Sequence, residues 1–385
     1  MIVPSRPFPE ICFSASLSGA GLHPSLERMT FYSYGRVALL HGMLRLGLKP
    51  GDAIAIPAYY CESALQSIVA YGFKPVFIDV GDDLQLPLDA VETVFSTQKI
   101  KAVLLTHFFG FVPAARDEII SLCWAADVKV IEDCSHSFLS YLYSKNTRQE
   151  ADAYVFSLRK ILPIADGGAL LAGKCQGDTV SLQPASGPLL NDLPFLLMRT
   201  IEAAVIKFGW PNLYSPQIGK LRAALSRSDN NAEKAAMYEG LQDNLLPPSY
   251  NLAMYLRNEP CLRRIAQSRV LNYRQLVQAI APSGIEAIVP DISDGEIPQV
   301  LPVLDATGTL VNYLRTRGIG AYHWPGEEMP IEVTALPSLY PNAIRLNESI
   351  ACFPIHQDIS DKHIVFMADA VADWKNTCPV ESAWR

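Results

Sequence analysis

The chain has few charges for its length: 18% of its 385 residues are Asp, Glu, Lys or Arg, and the net charge is −7. No run of Lys or Arg stands out, which argues against a nucleic-acid partner. CxxC pairs are absent. The eight cysteines, Cys12, Cys61, Cys123, Cys134, Cys175, Cys261, Cys352 and Cys378, are scattered. That pattern fits neither a zinc site nor a disulfide framework, and it leads us to expect reduced thiols and a cytoplasmic protein. The first residues lack a charged segment followed by a long apolar one, so no signal peptide is expected. Gly19-Ala20-Gly21 follows no strand and is no dinucleotide fingerprint. We find no internal repeat and no low-complexity tract. The most apolar stretch, Pro188 to Trp210, is interrupted by Asp192, Arg199, Glu202 and Lys207. A spanning helix tolerates few such charges. Amphipathic helices packed on the body or on another subunit are the expectation, with membrane-surface attachment the lesser alternative.

What is present is 49% hydrophobic, with a mean hydropathy of +0.14. From Gly35 to Ala172, short apolar runs alternate with helical segments. The runs are Ala53 to Ile56, Lys74 to Val80, Lys101 to Thr106, Val128 to Ile131, Ala153 to Phe156 and Ala169 to Ala172. Helices are expected over Gly35 to Leu48, Glu62 to Tyr71 and about Asp117 to Ala126. This pattern predicts an α/β fold with a mostly parallel sheet sandwiched by helices. Residues 175 to 247 read as a helical insertion in a large domain of residues 1–250. A smaller α+β domain is expected over 251–385, opened by a long helix, with strands at Glu286 to Val289, Val300 to Leu304 and Ala351 to Phe353, and closed by a helix from Asp361 to Trp374.

Two segments are candidates for chemistry. In Ile131-Glu132-Asp133-Cys134-Ser135-His136 an apolar strand ends in two acids. A carboxylate there can face a ligand at the strand's carboxyl end and, against a pyridine nitrogen, keep that ring protonated as an electron sink. The alternative is that the acids cap the next helix. In Phe156-Ser157-Leu158-Arg159-Lys160, followed by Asp166-Gly167-Gly168, a lysine follows a buried strand. Partly desolvated, such a lysine becomes the nucleophile of a Schiff base. Taken alone, it also reads as a solvated loop. Upstream, Gly35-Arg36-Val37 opens a helix whose amides can cradle a phosphate. His107, His323 and His356 are too dispersed to suggest a metal site, so no metal is expected.

In this order the motifs resemble the DegT/StrS sugar aminotransferases, a family of fold-type I enzymes dependent on pyridoxal phosphate. The resemblance runs from about Tyr34 to the end. It rests on Gly35-Arg36-Val37-Ala38-Leu39, Leu48-Lys49-Pro50-Gly51-Asp52, Thr106-His107-Phe108-Phe109-Gly110, Glu132 to His136, Lys160 with Asp166-Gly167-Gly168, Tyr250-Asn251-Leu252-Ala253-Met254, Gly318-Ile319 with His323-Trp324-Pro325, and Cys352-Phe353-Pro354-Ile355. It implies that Lys160 holds pyridoxal 5'-phosphate and shuttles the reaction's proton. Asp133 would pair with the pyridinium nitrogen, and His136 would lie against the cofactor. Ser157, Gly35 and the amides of Arg36 and Val37 would hold the phosphate, and Asn251 would reach the phosphate of a neighbouring subunit in a homodimer. The chain departs from the family in having Arg36 for threonine, a shorter spacing from Ser157 to Lys160, and Ala253 for arginine. Cys61 stands at the position of the aromatic that stacks on the cofactor, and Tyr59 or Tyr60, Tyr60 being favoured, is the expected substitute. The implied function is transfer of an amino group from an amino acid, glutamate foremost, to a keto sugar on a nucleotide. A pyridoxal-phosphate lyase and a non-catalytic binding protein of the same fold are the alternatives. Cys352 as a sulfur-carrying nucleophile is disfavoured by its apolar run.

Overall fold

The computed structural model describes residues 1–9, 24–144, 151–173, 193–207, 250–326 and 329–377. The polar patch at 227–233 and most of the expected insertion therefore lie outside the described residues. Helix α1 is Pro24–Glu27, β1 is Met29–Tyr32, α2 is Gly35–Arg45, β2 is Ala53–Pro57, α3 is Glu62–Ala70 and β3 is Lys74–Ile78. These are followed by α4 (Leu88–Thr97), β4 (Ile100–Thr106), α5 (Arg116–Ala125), β5 (Lys129–Asp133), α6 (Phe138–Tyr143), β6 (Ala153–Ser157) and β7 (Gly168–Ala172). The seven strands form one sheet in the order β1-β7-β6-β5-β4-β2-β3. Strands β2 to β6 run parallel, while β7 and β1 close one side antiparallel.

Alternate side chains of each strand enter different cores, which is why the runs read as continuously apolar. Ile54, Ile56, Leu104, Ile131 and Val155 pack with Val37, Leu40 and Met43 of α2. Ala55, Val103, Leu105, Val130 and Phe156 join the core shared with the C-terminal half. The expected strands and helices recur with ends shifted by a few residues. Missing from expectation is β1, a four-residue strand whose polar Thr30 is nonetheless buried.

The C-terminal half holds α8 (Tyr250–Leu256), α9 (Glu259–Ile280), β8 (Val300–Leu304), α10 (Leu310–Thr316), α11 (Ile331–Thr334), α12 (Pro341–Ser349), β9 (Ile350–Pro354) and α13 (Asp361–Thr377). Two corrections arise. The single long helix expected from Asn251 is two helices, because the Asn258 side chain accepts the Cys261 N–H and starts α9 afresh, with a proline in its first turn. The strand expected over 286–289 is reduced to an isolated Ala287–Val303 bridge. Its neighbour β8 carries Pro302, which has no N–H to donate to a ladder. The other two expected strands, β8 and β9, pair antiparallel.

Within the apolar stretch singled out in the sequence, Leu193–Lys207 forms one helix, α7. Arg199 anchors it, pairing with buried Glu202 and donating to the Arg6 and Pro7 carbonyls. No helix among the described residues is long and apolar enough to cross a membrane.

The start of the chain docks on this half. Val3 bridges Ile319, Gly320 N–H donates to the Val3 carbonyl, and Phe8 N–H donates to Asp358. Buried His356 places Nε2 2.9 Å from the Pro4 carbonyl, with Asp358 near its other nitrogen. Burial pushes this imidazole down to about 3. The unfolded chain therefore binds a proton that the folded chain refuses, and stability falls as pH drops below about 6.5, by up to about 1.4 kcal/mol per pH unit for this ring. His356→Gln keeps a donor for Pro4 but cannot titrate. It is expected to flatten the acid limb of stability between pH ~4 and ~6.5, read from denaturation midpoints against pH.

Candidate active site

The carboxyl ends of the parallel strands open into a cavity of about 1430 Å³. Asp133 ends β5, Thr106 ends β4 and pairs with it, and Ser157 ends β6. A short 3-10 turn, Leu158–Lys160, carries Lys160 to the cavity wall.

Lys160 Nζ lies 2.8 Å from His136 Nε2 and 5.7 Å from the centre of the Trp324 ring. The Phe109 N–H donates to His136 Nδ1 at 3.1 Å. Burial, and then the neighbouring Lys160, hold the His136 imidazole well below its usual range, so the ring is neutral. A neutral ring that accepts at Nδ1 carries its proton on Nε2. The Lys160 nitrogen lies within hydrogen-bond distance of Nε2, and its amine is the group that can act as a nucleophile. The donor sits in a strained turn: Phe109 has φ 56 and Gly110 has φ 103. A Cβ at Gly110 would meet the Ile297 carbonyl at 2.9 Å, and Gln299 N–H donates to the Phe109 carbonyl at 2.7 Å. The C-terminal half thereby clamps the turn that sets the histidine.

Asp133 is buried and accepts from the Tyr60 hydroxyl at 2.7 Å and from Ser135 N–H at 3.0 Å. Behind it, Glu132 receives two hydrogen bonds from Arg116, at 2.9 and 2.6 Å, and sits 2.5 Å from His107 Nε2. Burial would raise the Glu132 carboxyl, but His107 and Arg116 outweigh it and hold it low. His107, Glu132 and Cys134 are close enough to suggest a metal cluster. The Glu132 oxygens are already paired with Arg116 and His107, so the group reads as a structural ion-pair network. Cys352 lies fully buried in β9, with its thiol pushed up by burial, which removes it as a nucleophile.

At the other end of the cavity α2 begins with Tyr34 as an N-cap that offers no side-chain hydrogen bond. Main chains meet closely here. A Cβ on Gly168 would lie 2.3 Å from the Tyr34 carbonyl group, and one on Gly35 would meet Ser157 Cβ at 3.0 Å. The Val37 and Ala38 N–H groups both turn back to the Tyr34 carbonyl. That corrects the expectation for Val37, whose amide closes the first turn and leaves the amides of Gly35 and Arg36 at the helix mouth. The guanidiniums of Arg36 and Arg159 lie 4.6 and 5.1 Å from the Tyr34 ring centre.

Asn251 is absent from the lining of its own cavity; its amide is 3.4 Å from the Pro163 carbonyl. Three contributors had no sequence signal. Ser5 to Pro7 of the docked N-terminal segment form part of the wall. Arg269 of α9 is 1% exposed and donates to the Gln299 and Ile161 carbonyls at 2.7 and 3.0 Å, with burial lowering it to about 10. Arg116, in the first turn of α5, is buried against Glu132.

Comparison with known proteins agrees with this geometry. Residues 29–174 match the model of the DegT/DnrJ/EryC1/StrS aminotransferase family. A GDP-perosamine synthase of Escherichia coli O157:H7 is 29% identical over 149 residues, which are 38% of this chain and 40% of that relative. A DegT DnrJ EryC1 StrS aminotransferase from Brucella abortus superposes with a TM-score of 0.59 at 15% identity, over 90% of this chain and 85% of that one. NtdA from Bacillus subtilis, solved with bound PMP, superposes with a TM-score of 0.59 at 15% identity, over 90% and 73%. Residues 29–174, which carry the sheet, the acidic strand end and the lysine turn, thus resemble the DegT/DnrJ/EryC1/StrS aminotransferase family, in a chain whose fold is similar to that of a solved DegT DnrJ EryC1 StrS aminotransferase.

Proposed function

We propose that the protein is a pyridoxal-phosphate-dependent aminotransferase that moves an amino group from an amino acid, glutamate foremost, to a keto sugar carried on a nucleotide. One observation carries this: a lysine amine against a neutral histidine, a buried carboxylate and an uncapped helix N-terminus line a single cavity. The residues fit the cofactor. Main chains approach too closely at Gly35 and Gly168 to admit a Cβ, and two buried polar atoms of cavity-lining residues, Arg36 Nε and Thr106 Oγ1, have no hydrogen-bond partner among the described residues. Bound pyridoxal phosphate supplies the electron sink that stabilises the carbanion formed when the donor's Cα loses its proton.

The chain's own groups do the rest. Lys160 is the attachment point for the cofactor and, once released, the base that takes and returns that proton at Nζ. Asp133 holds a proton on the ring nitrogen by charge and hydrogen bond. The helix mouth, Arg36 and the Ser157 hydroxyl bind the phosphate. Trp324, in ring contact with both Phe108 and His136, keeps water from the reacting face. For the nucleotide, support comes from charge. The cavity is lined by Arg6, Arg36, Arg159, Arg269, Arg315 and Arg345 against two carboxylates, Asp133 and Glu348, in a chain that is net negative. A diphosphate-linked sugar suits that balance. The GDP-sugar named in the Escherichia coli relative is of this class. A homodimer in which Asn251 serves the second copy is part of the proposal, as is a cytoplasmic location.

The test is a half-reaction. Addition of glutamate to the loaded protein is expected to convert the pyridoxal form to the pyridoxamine form, with one 2-oxoglutarate released per site. An intact chromophore that no amino acid converts would sink transamination and favour the lyase alternative.

A further inference from the structure

The Tyr60 hydroxyl and the Asp133 carboxylate meet across the end of β4. β2 leads into Tyr60, β5 ends at Asp133, and β4 lies between them in the sheet. The hydroxyl donates to Asp133 Oδ2 at 2.7 Å while Ser135 N–H holds Oδ1 at 3.0 Å. The Tyr60 ring is 1% exposed and belongs to the core formed with Val37, Leu40, Ile56 and Leu65. The side chain thus packs among aliphatic residues at the edge of the cavity, which it also lines. Burial, reinforced by Asp133, keeps the phenol protonated far above neutral pH, so it is always the donor.

We infer that Tyr60 is a positioning residue that acts through Asp133: its hydroxyl orients the carboxylate that receives the cofactor's ring nitrogen, and its ring does not stack on the cofactor. This rests on reading the cavity as a pyridoxal-phosphate site. A buried carboxylate beside Lys160 and a row of arginines has several cations toward which it can rotate. Pinned at both oxygens, it keeps one direction and still has lone pairs left for a ring N–H. Cys61, next in sequence and at the position of the family's stacking aromatic, lines the cavity, with its thiol 3.1 Å from the Ser63 hydroxyl. The aromatic side chain has in effect moved one residue back along the chain and exchanged a stacking role for a hydrogen-bonding one.

The experiment measures the cofactor dissociation constant, and the pH dependence of the bound chromophore, in wild type, Tyr60→Phe, Tyr60→Leu, Asp133→Asn and the Tyr60→Phe/Asp133→Asn double variant. Tyr60→Phe retains the ring and the packing, so its melting temperature should stay near wild type. It is expected to weaken cofactor binding about tenfold or more, the worth of a hydrogen bond to a charged acceptor, and to shift the chromophore's titration. In the Asp133→Asn background the same change should alter binding less than about twofold, because its route is gone. Wild-type binding in Tyr60→Phe with a large loss in Tyr60→Leu would mean that the ring acts directly, and would overturn the inference. Equal losses from Tyr60→Phe in both backgrounds would overturn it too. A wild-type protein that takes up no pyridoxal phosphate would instead overturn the functional reading beneath it, and that outcome is visible before any variant is compared.

Discussion

Lys160→Ala is expected to give a folded, colourless protein whose turnover is lower by about 10² to 10⁴ from loss of the proton-transfer group alone. The fold should survive because Lys160 is only half-buried and ends a short turn whose anchor is Leu158, fully buried with its carbonyl accepting from Ile161 and Leu162. Lys160→Arg should be equally colourless. It restores a cation but offers no free amine at neutral pH, since guanidinium stays protonated. This pair of variants separates charge from nucleophilicity. The check is the absorbance spectrum after incubation with pyridoxal phosphate, alongside the melting temperature of each variant. A yellow, borohydride-reducible chromophore that persists in Lys160→Ala would place the attachment elsewhere.

Glu132→Ala is expected to destabilise the protein by roughly 3–5 kcal/mol, whether or not cofactor is present. The carboxylate is 1% exposed and is the partner of both Arg116 and His107. Burial alone would lower the Arg116 guanidinium, but the hydrogen bonds and charge of Glu132 hold it above its ordinary value. Without Glu132 the guanidinium stays buried but loses two hydrogen bonds and the buried charge that balances it. Removing both charges together, as Arg116→Leu with Glu132→Leu, should cost much less than the sum of the single changes, because no unpaired ion remains. Denaturant midpoints of the three variants decide this. Equal and additive losses would show the network to be three independent contacts.

How much of this was legible in the sequence depended on how local the signal was. Strands β2, β4, β5 and β6 were readable because a strand buried on both faces is an unbroken apolar run, and its end is marked by the first residue that must meet a ligand. Asp133 and Lys160 are such residues. The Gly167-Gly168 pair was readable as a close approach, although its partner, the Tyr34 main chain, was not. By contrast, Arg269 sits in a helix rich in Arg and Gln, and nothing nearby in sequence shows that two distant carbonyls take its guanidinium out of water. The same holds for the Phe109 amide, whose importance comes from a left-handed turn clamped by residues 297–299. The strand expected over 286–289 failed for the opposite reason. Its own residues suit a strand, but its neighbour carries a proline where a donor was needed.

The docking of residues 3–8 onto Ile319, Gly320, His356 and Asp358 has a thermodynamic consequence. Partners some 350 positions apart build one wall of the cavity, while the sheet builds the other. Any molecule gripping both walls contributes its binding free energy to keeping the two extremities of the chain together. At a hundred times its dissociation constant that amounts to about 2.7 kcal/mol. The protein's melting curve is therefore a reporter of occupancy, and residues 3–8 should open together with the body once the cavity is filled.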